Sequence, residues 1–349
     1  MSPKLRHFDV TLPLEDDDEC LKQASKLAAE VKPDWDISAL DFEFFTNGIT
    51  NKVFCCTEKN LNEKIVCRVY GKKTELLIDR EKELKNWQRL SDCDCASPLY
   101  ATFDNGILCG YQPGETLTTD SIREPKIAKE IARAVAEMHR TATKKNGKQA
   151  ESCYFHKLQG YLDNMPKKFD DAEKQKKFIE QFPTHDELVA EQAVLKETIA
   201  AVKPAVVFCH NDLLLYNILY DKESEKVNFI DYEYADFNYQ AFDIGNHFCE
   251  YAGVENVDFS LYPSREYQLE WLKNYLEYYL ERSPSEEEIE RLYVQVNICA
   301  ASAHFLWSVW CIIQAENSTI DFDFLSYAIA KNNEYKRMKK EFFHLRPPA

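Results

Sequence analysis

Apolar and polar positions alternate with two different periods along this chain, and the period changes about a third of the way in. Leu14–Val31 repeats every three to four residues, with Leu21, Ala24, Leu27 and Ala28 on one face and acidic Asp16–Glu19 in the first turn, which predicts a helix. Phe42–Phe45, Val53–Thr57 and Ile65–Tyr70 are β-branched or aromatic runs, separated by Asn47-Gly48 and by Lys59–Glu63, and predict strands joined by turns. A helix over Asp79–Leu90 follows. Leu99–Phe103 and Gly106–Tyr111 then read as a hairpin around Asp104-Asn105-Gly106. After Pro113-Gly114 helical spacing takes over, at Pro125–Arg140, Asp186–Val202, Arg265–Glu281 and Pro284–Ser302. Lys144–Glu151 and Asn164–Lys177 are polar and lysine-rich and read as solvated connectors. Strands followed by helices point to an α+β protein whose small sheet-based lobe precedes a larger helical one.

Composition narrows the picture. A chain of 349 residues exceeds one small core, so one large domain or two lobes is expected. The formal net charge of −16 argues against a general binder of nucleic-acid backbones. It does not oppose a nucleotide, whose phosphates need only local cations. Most of the twelve cysteines lie in or beside apolar runs, where a thiol acts as a small hydrophobe. Cys93 and Cys95 have no second pair at zinc spacing. Met1–Asp18 is polar and then acidic, unlike a signal peptide, so reduced thiols and a cytoplasmic location are expected. Ile298–Ala315 is apolar but carries His304 and Gln314, and reads as a buried helix.

Against this background "VVFCHNDLLLYNILYDKESEKVNFIDYEYADF" stands out, because polar groups interrupt strands that would otherwise be buried. Val206–Cys209 enters the core, His210-Asn211-Asp212 follows, and Asn217 comes five residues after Asp212. Asn217–Tyr220 and Val227–Asp231 look like a hairpin with Asp231 at the end of its second strand. This is the spacing of phosphoryl-transfer sites: an Asp that orients and deprotonates a hydroxyl, an Asn that ligates metal, and an Asp that binds Mg²⁺ on the nucleotide phosphates. Asp212 is the expected catalytic base and Asn217 and Asp231 the metal ligands; the alternative is turn and capping use. His210 reads as a prop for the backbone rather than as a reactant.

Phosphates need further contacts. The loop Thr46–Asn51, with Asn47, Gly48, Thr50 and Asn51, could cover them with backbone N–H groups, although an ordinary hairpin turn has the same composition. Arg68 stands in an apolar strand and needs a partner there. Glu83 on the following helix is the first candidate and Glu81 the second; an edge-strand surface pair is the alternative. Leu108–Gly114, with Gly110 and Gln112, would be the hinge against which adenine stacks.

These motifs resemble the choline/ethanolamine kinase family, and more closely its ethanolamine kinase branch. "HNDLLLYNILY" and "IDYEYADFNYQAFDIGNHFCEYAG" are similar to the family's two signatures, and "FFTNGITNKVF", "CRVYGKKTELLIDREKE" and "AHFLWSVWCIIQAENSTIDFDFLSYAI" extend the likeness over nearly the whole chain. The resemblance implies a protein-kinase-like bilobal fold, with residues 1–112 as nucleotide-binding lobe and 113–349 as catalytic and substrate-binding lobe. It implies ATP and Mg²⁺ as cofactors and a small amino alcohol as the partner substrate; charge and composition speak for no nucleic acid and no stable membrane insertion, and a homodimer is one of the assemblies left open. It also implies an amine pocket of Tyr234, Glu250, Trp307, Trp310 and Tyr327, with Asp212 on the hydroxyl. A carboxylate and aromatic faces do suit a cationic ammonium, although two Trp three residues apart also suit a plain core. Glu255, where choline kinases carry a further Tyr, favours ethanolamine, whereas Phe242 and Cys249 resemble the choline branch. A choline or dual-specificity kinase is the runner-up reading, followed by another small-molecule phosphotransferase and, last, a binding module without catalysis.

Overall fold

Alternation is what builds the first sheet. In the computed structural model Ile65, Cys67 and Val69 point to one face of their strand and are almost fully buried. Residues 5–45, 51–71, 79–144, 150–254, 256–318 and 320–348 are described. In chain order these form β1 (Arg6–Phe8), α1 (Asp17–Val31), β2 (Leu40–Phe45), β3 (Asn51–Glu58), β4 (Glu63–Tyr70), α2 (Arg80–Ser91), β5 (Leu99–Phe103), β6 (Gly106–Gly110) and β7 (Glu115–Thr116). Then follow α3 (Pro125–Lys144), α4 (Tyr154–Asn164), α5 (Ala172–Gln181), α6 (His185–Val202), β8 (Val206–Cys209), β9 (Ile218–Asp221), β10 (Lys226–Phe229), β11 (Asp236–Tyr239), α7 (Gln240–Cys249), α8 (Arg265–Leu280), α9 (Glu286–Asn317) and α10 (Phe324–Phe342). The chain divides into two compact units: Met1–Glu115 with Leu219–Tyr234, and Thr116–Ile218 with Ala235–Ala349.

The first unit is a six-stranded sheet in the order β1-β5-β6-β4-β3-β2, antiparallel except where β1 runs parallel to β5. Its core gathers Phe54, Cys56, Ile65, Cys67 and Val69 from one sheet face with Ala24, Leu27 and Ala28 of α1. The opposite face of β4 carries Arg68, in register with Val53 and Ile107 and therefore central in the sheet rather than at an edge. Asp16 begins α1, its side chain accepting the Glu19 N–H, so the helix starts three residues later than the Leu14 its periodicity suggests.

The second unit is mostly helical, with β8 and β11 as an antiparallel pair. Two sequence expectations are corrected here. The predicted helix Pro284–Ser302 and the apolar stretch Ile298–Ala315 are one helix, α9, 32 residues long. A Ser285–Glu288 capping box starts it and no Gly or Pro interrupts it. It is long and apolar enough to cross a membrane, but 94% of its most apolar window is buried within the chain, which makes it a core helix here. The expected connector Asn164–Lys177 contains part of a helix, α5. Asp171 caps it, and Phe178 docks between Phe169 and Phe182, giving a lysine-rich segment the apolar anchor it needs to order. The other connector falls largely on residues 145–149, outside the described residues.

Candidate active site

In the first unit β4 and α2 bring a buried cation and a buried carboxylate together. Arg68 Nη1 lies 3.2 Å from Glu83 Oε1, and these side chains are 7% and 0% exposed. Glu81 instead faces solvent beside Lys85. Arg68 is further surrounded: Asp231 Oδ1 is 3.0 Å from Nη1, and Glu233 Oε2 is 3.1 Å from Nη2. Arg80 completes the group, with Nη1 2.6 Å from Glu83 Oε2 and its guanidinium 4.0 Å above the Tyr70 ring. Burial opposes the Arg68 charge, but Asp231, Glu83 and Glu233 more than offset it and hold the group above its ordinary pKa. Burial and the neighbouring Asp231 push the Glu233 carboxyl upward.

Asp231 differs from expectation in one respect. β10 ends at Phe229, so Asp231 lies just past the hairpin rather than at its strand end. Its φ of 65° is left-handed, a conformation that costs a non-glycine residue roughly 1–3 kcal/mol and clusters at functional sites. Tyr232 anchors the turn by packing edge-on to Trp87 of α2, at 5.3 Å between ring centroids. Asp231 Oδ1 is buried against the Arg68 guanidinium, and a hard carboxylate oxygen of this kind could also ligate a metal ion.

In the second unit the strand β8 delivers His210-Asn211-Asp212, and Asp243 of α7 holds that turn. Its carboxylate accepts the backbone N–H groups of His210 at 2.8 Å and Asn211 at 2.7 Å. The carboxylate also contacts His139 Nε2 at 2.9 Å, while His139 Nδ1 meets the Tyr275 hydroxyl at 2.7 Å. Burial works against the Asp243 charge, but its bonds to His139 and His210 hold its pKa below the ordinary carboxylate value. Asn211 takes φ 69°, a conformation that Asn tolerates better than most residues. The chain thus turns out of the core, with His210 fully buried and Asp212 half-buried. Asn217 Nδ2 donates to both the backbone carbonyl of Asp212 (2.9 Å) and its Oδ2 (3.1 Å). Both bonds use the amide nitrogen of Asn217, so its Oδ1 is the atom that could ligate a metal.

The aromatic residues of the second unit that were expected around an amine lie on one chain of contacts. Trp307 and Trp310 meet edge to face at 5.6 Å, Trp310 meets Phe324 at 6.1 Å, Phe324 meets Phe322, and Phe322 meets Tyr327 at 5.4 Å. Glu250, 6% exposed, stands at the C-terminal end of α7. Trp307 Nε1 donates to Asn246 Oδ1 at 2.8 Å. Gly245 makes this approach of α7 and α9 feasible, since a Cβ there would lie 2.7 Å from the Val296 carbonyl oxygen.

Other expected residues have plainer surroundings. Tyr234 is buried and belongs to the first unit. Gly110 lies inside β6 rather than in a hinge, and a Cβ there would come within 2.8 Å of Pro98. Gln112 is half-buried beyond it, and Asn51 Oδ1 receives the Gly71 N–H at 3.4 Å. Asn47, Gly48 and Thr50 lie outside the described residues, as does Glu255. Phe242 and Cys249, which resembled the choline branch, serve packing: Phe242 against Tyr154, Cys249 against the Ala300 carbonyl.

Two groups were missed. Glu233 could have been found from its place two residues after Asp231 in an aromatic tract. Lys331 could have been found from its place four residues after Tyr327 on one helix. None of the twelve cysteines is in a disulfide.

These clusters now have relatives. The sequence profile described as "Choline/ethanolamine kinase" matches residues 42–336. The chain belongs to the choline/ethanolamine kinase family. It is 41% identical to mouse "Ethanolamine kinase 1" over 353 residues, covering 99% of this chain and 97% of that protein. It is 49% identical over 285 residues to the Drosophila melanogaster "Ethanolamine kinase", covering 80% of this chain and 55% of that protein. The solved Plasmodium vivax ethanolamine kinase superposes with a TM-score of 0.78 at 26% identity, over 92% of this chain and 89% of that one. The expected fold, a sheet-rich first part and a helical second part of kinase-like type, is therefore confirmed, and a kinase of this family uses a nucleotide.

Proposed function

We propose that the chain transfers the γ-phosphoryl group of ATP to the hydroxyl of ethanolamine, forming phosphoethanolamine and ADP. We place this at the first step of phosphatidylethanolamine synthesis by the CDP-ethanolamine route. The ethanolamine oxygen forms the new bond to the γ-phosphorus, the bond from that phosphorus to the bridging oxygen of ADP breaks, and the hydroxyl proton passes to Asp212. The observation that carries the reading is the Asp212–Asn217 pair, mounted on the buried Asp243–His139 support, in a chain 41% identical to an ethanolamine kinase over its length.

Asn217, through Oδ1, and Asp231, through its carboxylate, would each offer Mg²⁺ a hard oxygen. When bound, the ion neutralises charge developing on the transferred phosphate. Arg68, kept in place by Glu83, would meet the nucleotide phosphates, with the 46–51 loop covering them and Gly110 and Gln112 near the base. Glu250, Trp307, Trp310, Tyr327 and Tyr234 would receive the ammonium. The twelve cysteines outside disulfides support a cytoplasmic location.

Asp212→Asn tests the assignment of the base. Positioned general bases contribute about 10²–10⁴-fold, so kcat for ADP release with ethanolamine should fall by that factor while the variant stays folded. An unchanged kcat would remove Asp212 from the reaction.

A further inference from the structure

The carboxylate that would receive a substrate ammonium already has one. Lys331 of α10 is 5% exposed, and its Nζ lies 3.4 Å from Glu250 Oε1. The same Nζ sits 4.7 Å from the centroid of the Tyr327 ring. Tyr327 precedes Lys331 by one helical turn, so the two share a face of α10. Burial opposes the lysine charge, but Tyr327 and Glu250 more than offset it and raise its pKa, so it is cationic. Glu250 needs that cation: it is buried at the C-terminal end of α7, where the helix dipole disfavours a carboxylate.

We propose that Lys331 is a specificity-determining residue, which selects a primary ammonium over a quaternary one by occupying Glu250 Oε1 and a face of Tyr327. The proposal rests on the reading of Glu250 and its aromatic neighbours as the amine site. Any substrate cation entering there meets the like charge of Lys331. A primary ammonium offsets that repulsion with up to three N–H donors, and Glu250 has a second oxygen to accept one. A trimethylammonium has no donor. It depends on aromatic faces and net negative charge, and Lys331 covers one face and neutralises the carboxylate. The pocket is thus balanced in charge, and only an amine that can hydrogen-bond gains from it.

The test compares kcat/KM for ethanolamine and for choline, with ATP and Mg²⁺, in the wild type, Lys331→Met, Lys331→Gln and Lys331→Arg. Methionine keeps the length without charge. Glutamine keeps an N–H donor for Glu250 and serves where methionine destabilises. The choline-to-ethanolamine ratio should rise by about tenfold or more in the neutral variants and stay within about threefold of wild type in Lys331→Arg. KM for ATP should not move. A ratio unchanged in the neutral variants, with both rates falling together, would overturn the proposal. So would loss of fold in both neutral variants alongside an unchanged ratio in Lys331→Arg, because Lys331 would then be a core residue. If the wild type does not phosphorylate ethanolamine at all, it is the proposed function that fails, not the role of Lys331.

Discussion

The two charged clusters solve the same problem in opposite ways. Among the described residues of the first unit, Arg68 and Arg80 face the carboxylates of Glu83, Asp231 and Glu233. In the second, Lys331 and Glu250 are matched one to one, beside aromatic rings. Carboxylate oxygens such as those of Asp231 are hard donors of the kind an inorganic dication takes. A neutral pair beside aromatic rings leaves no net charge to attract an ion from a distance. On the proposed reading, the first cluster would meet a metal ion and phosphates, and the second an ammonium that can donate hydrogen bonds.

The largest expected effect breaks the first cluster. Arg68→Met would remove the buried guanidinium between Glu83 and Glu233 and leave Arg80 as their remaining cation in this group. Removing one partner of a buried pair typically costs about 3–5 kcal/mol, so the urea midpoint should fall accordingly. A variant as stable as the wild type would show that the carboxylates are already neutral. The next effect breaks the second cluster. Glu250→Gln keeps the shape but strands Lys331, and hydrogen bonds to charged groups contribute about 1.5–3 kcal/mol. KM for ethanolamine should therefore rise about ten- to a hundredfold with KM for ATP unmoved; equal rises in both would make Glu250 structural.

A third measurement concerns the core beneath the second cluster. Burial depresses the His247 pKa from 6.5 to about 4, so the folded protein holds it neutral. A folded pKa below the unfolded one means stability that is full above about pH 6.5 and lost as pH falls towards 4, on the order of 3 kcal/mol. Melting temperature should drop across that window, and less steeply in His247→Gln. Equal slopes would mean that His247 is solvated. The smallest effect is expected from Trp307→Phe, which deletes the donor to Asn246 Oδ1. A net hydrogen bond contributes about 1 kcal/mol, so KM for ethanolamine should rise roughly fivefold. A larger rise would give the indole a direct part in binding the amine.

Short-range pattern made much of this legible. Ile65, Cys67 and Val69 alternate in sequence and point together into the core. The Arg68–Glu83 pair was the first candidate because a charge within an apolar strand needs a partner; that β4 is central, and that Glu81 faces solvent, came from the fold. What stayed hidden depends on long separations. Lys331 is 81 residues from Glu250, and a lysine amid Ala, Asn and Glu on a helix reads as solvated until another helix covers it. Asp243 stood within a quoted motif, but its support of the His210–Asn211 turn needs α7 to lie against β8. The α5 helix was hidden by its lysines, because Phe178 is its only buried side chain.

The central claim is that this kinase acts on a primary amino alcohol. Its most direct test is kcat/KM of the purified protein for ethanolamine and for choline, measured side by side with ATP and Mg²⁺. The account expects phosphoethanolamine as the favoured product. A preference for choline above about tenfold would contradict it.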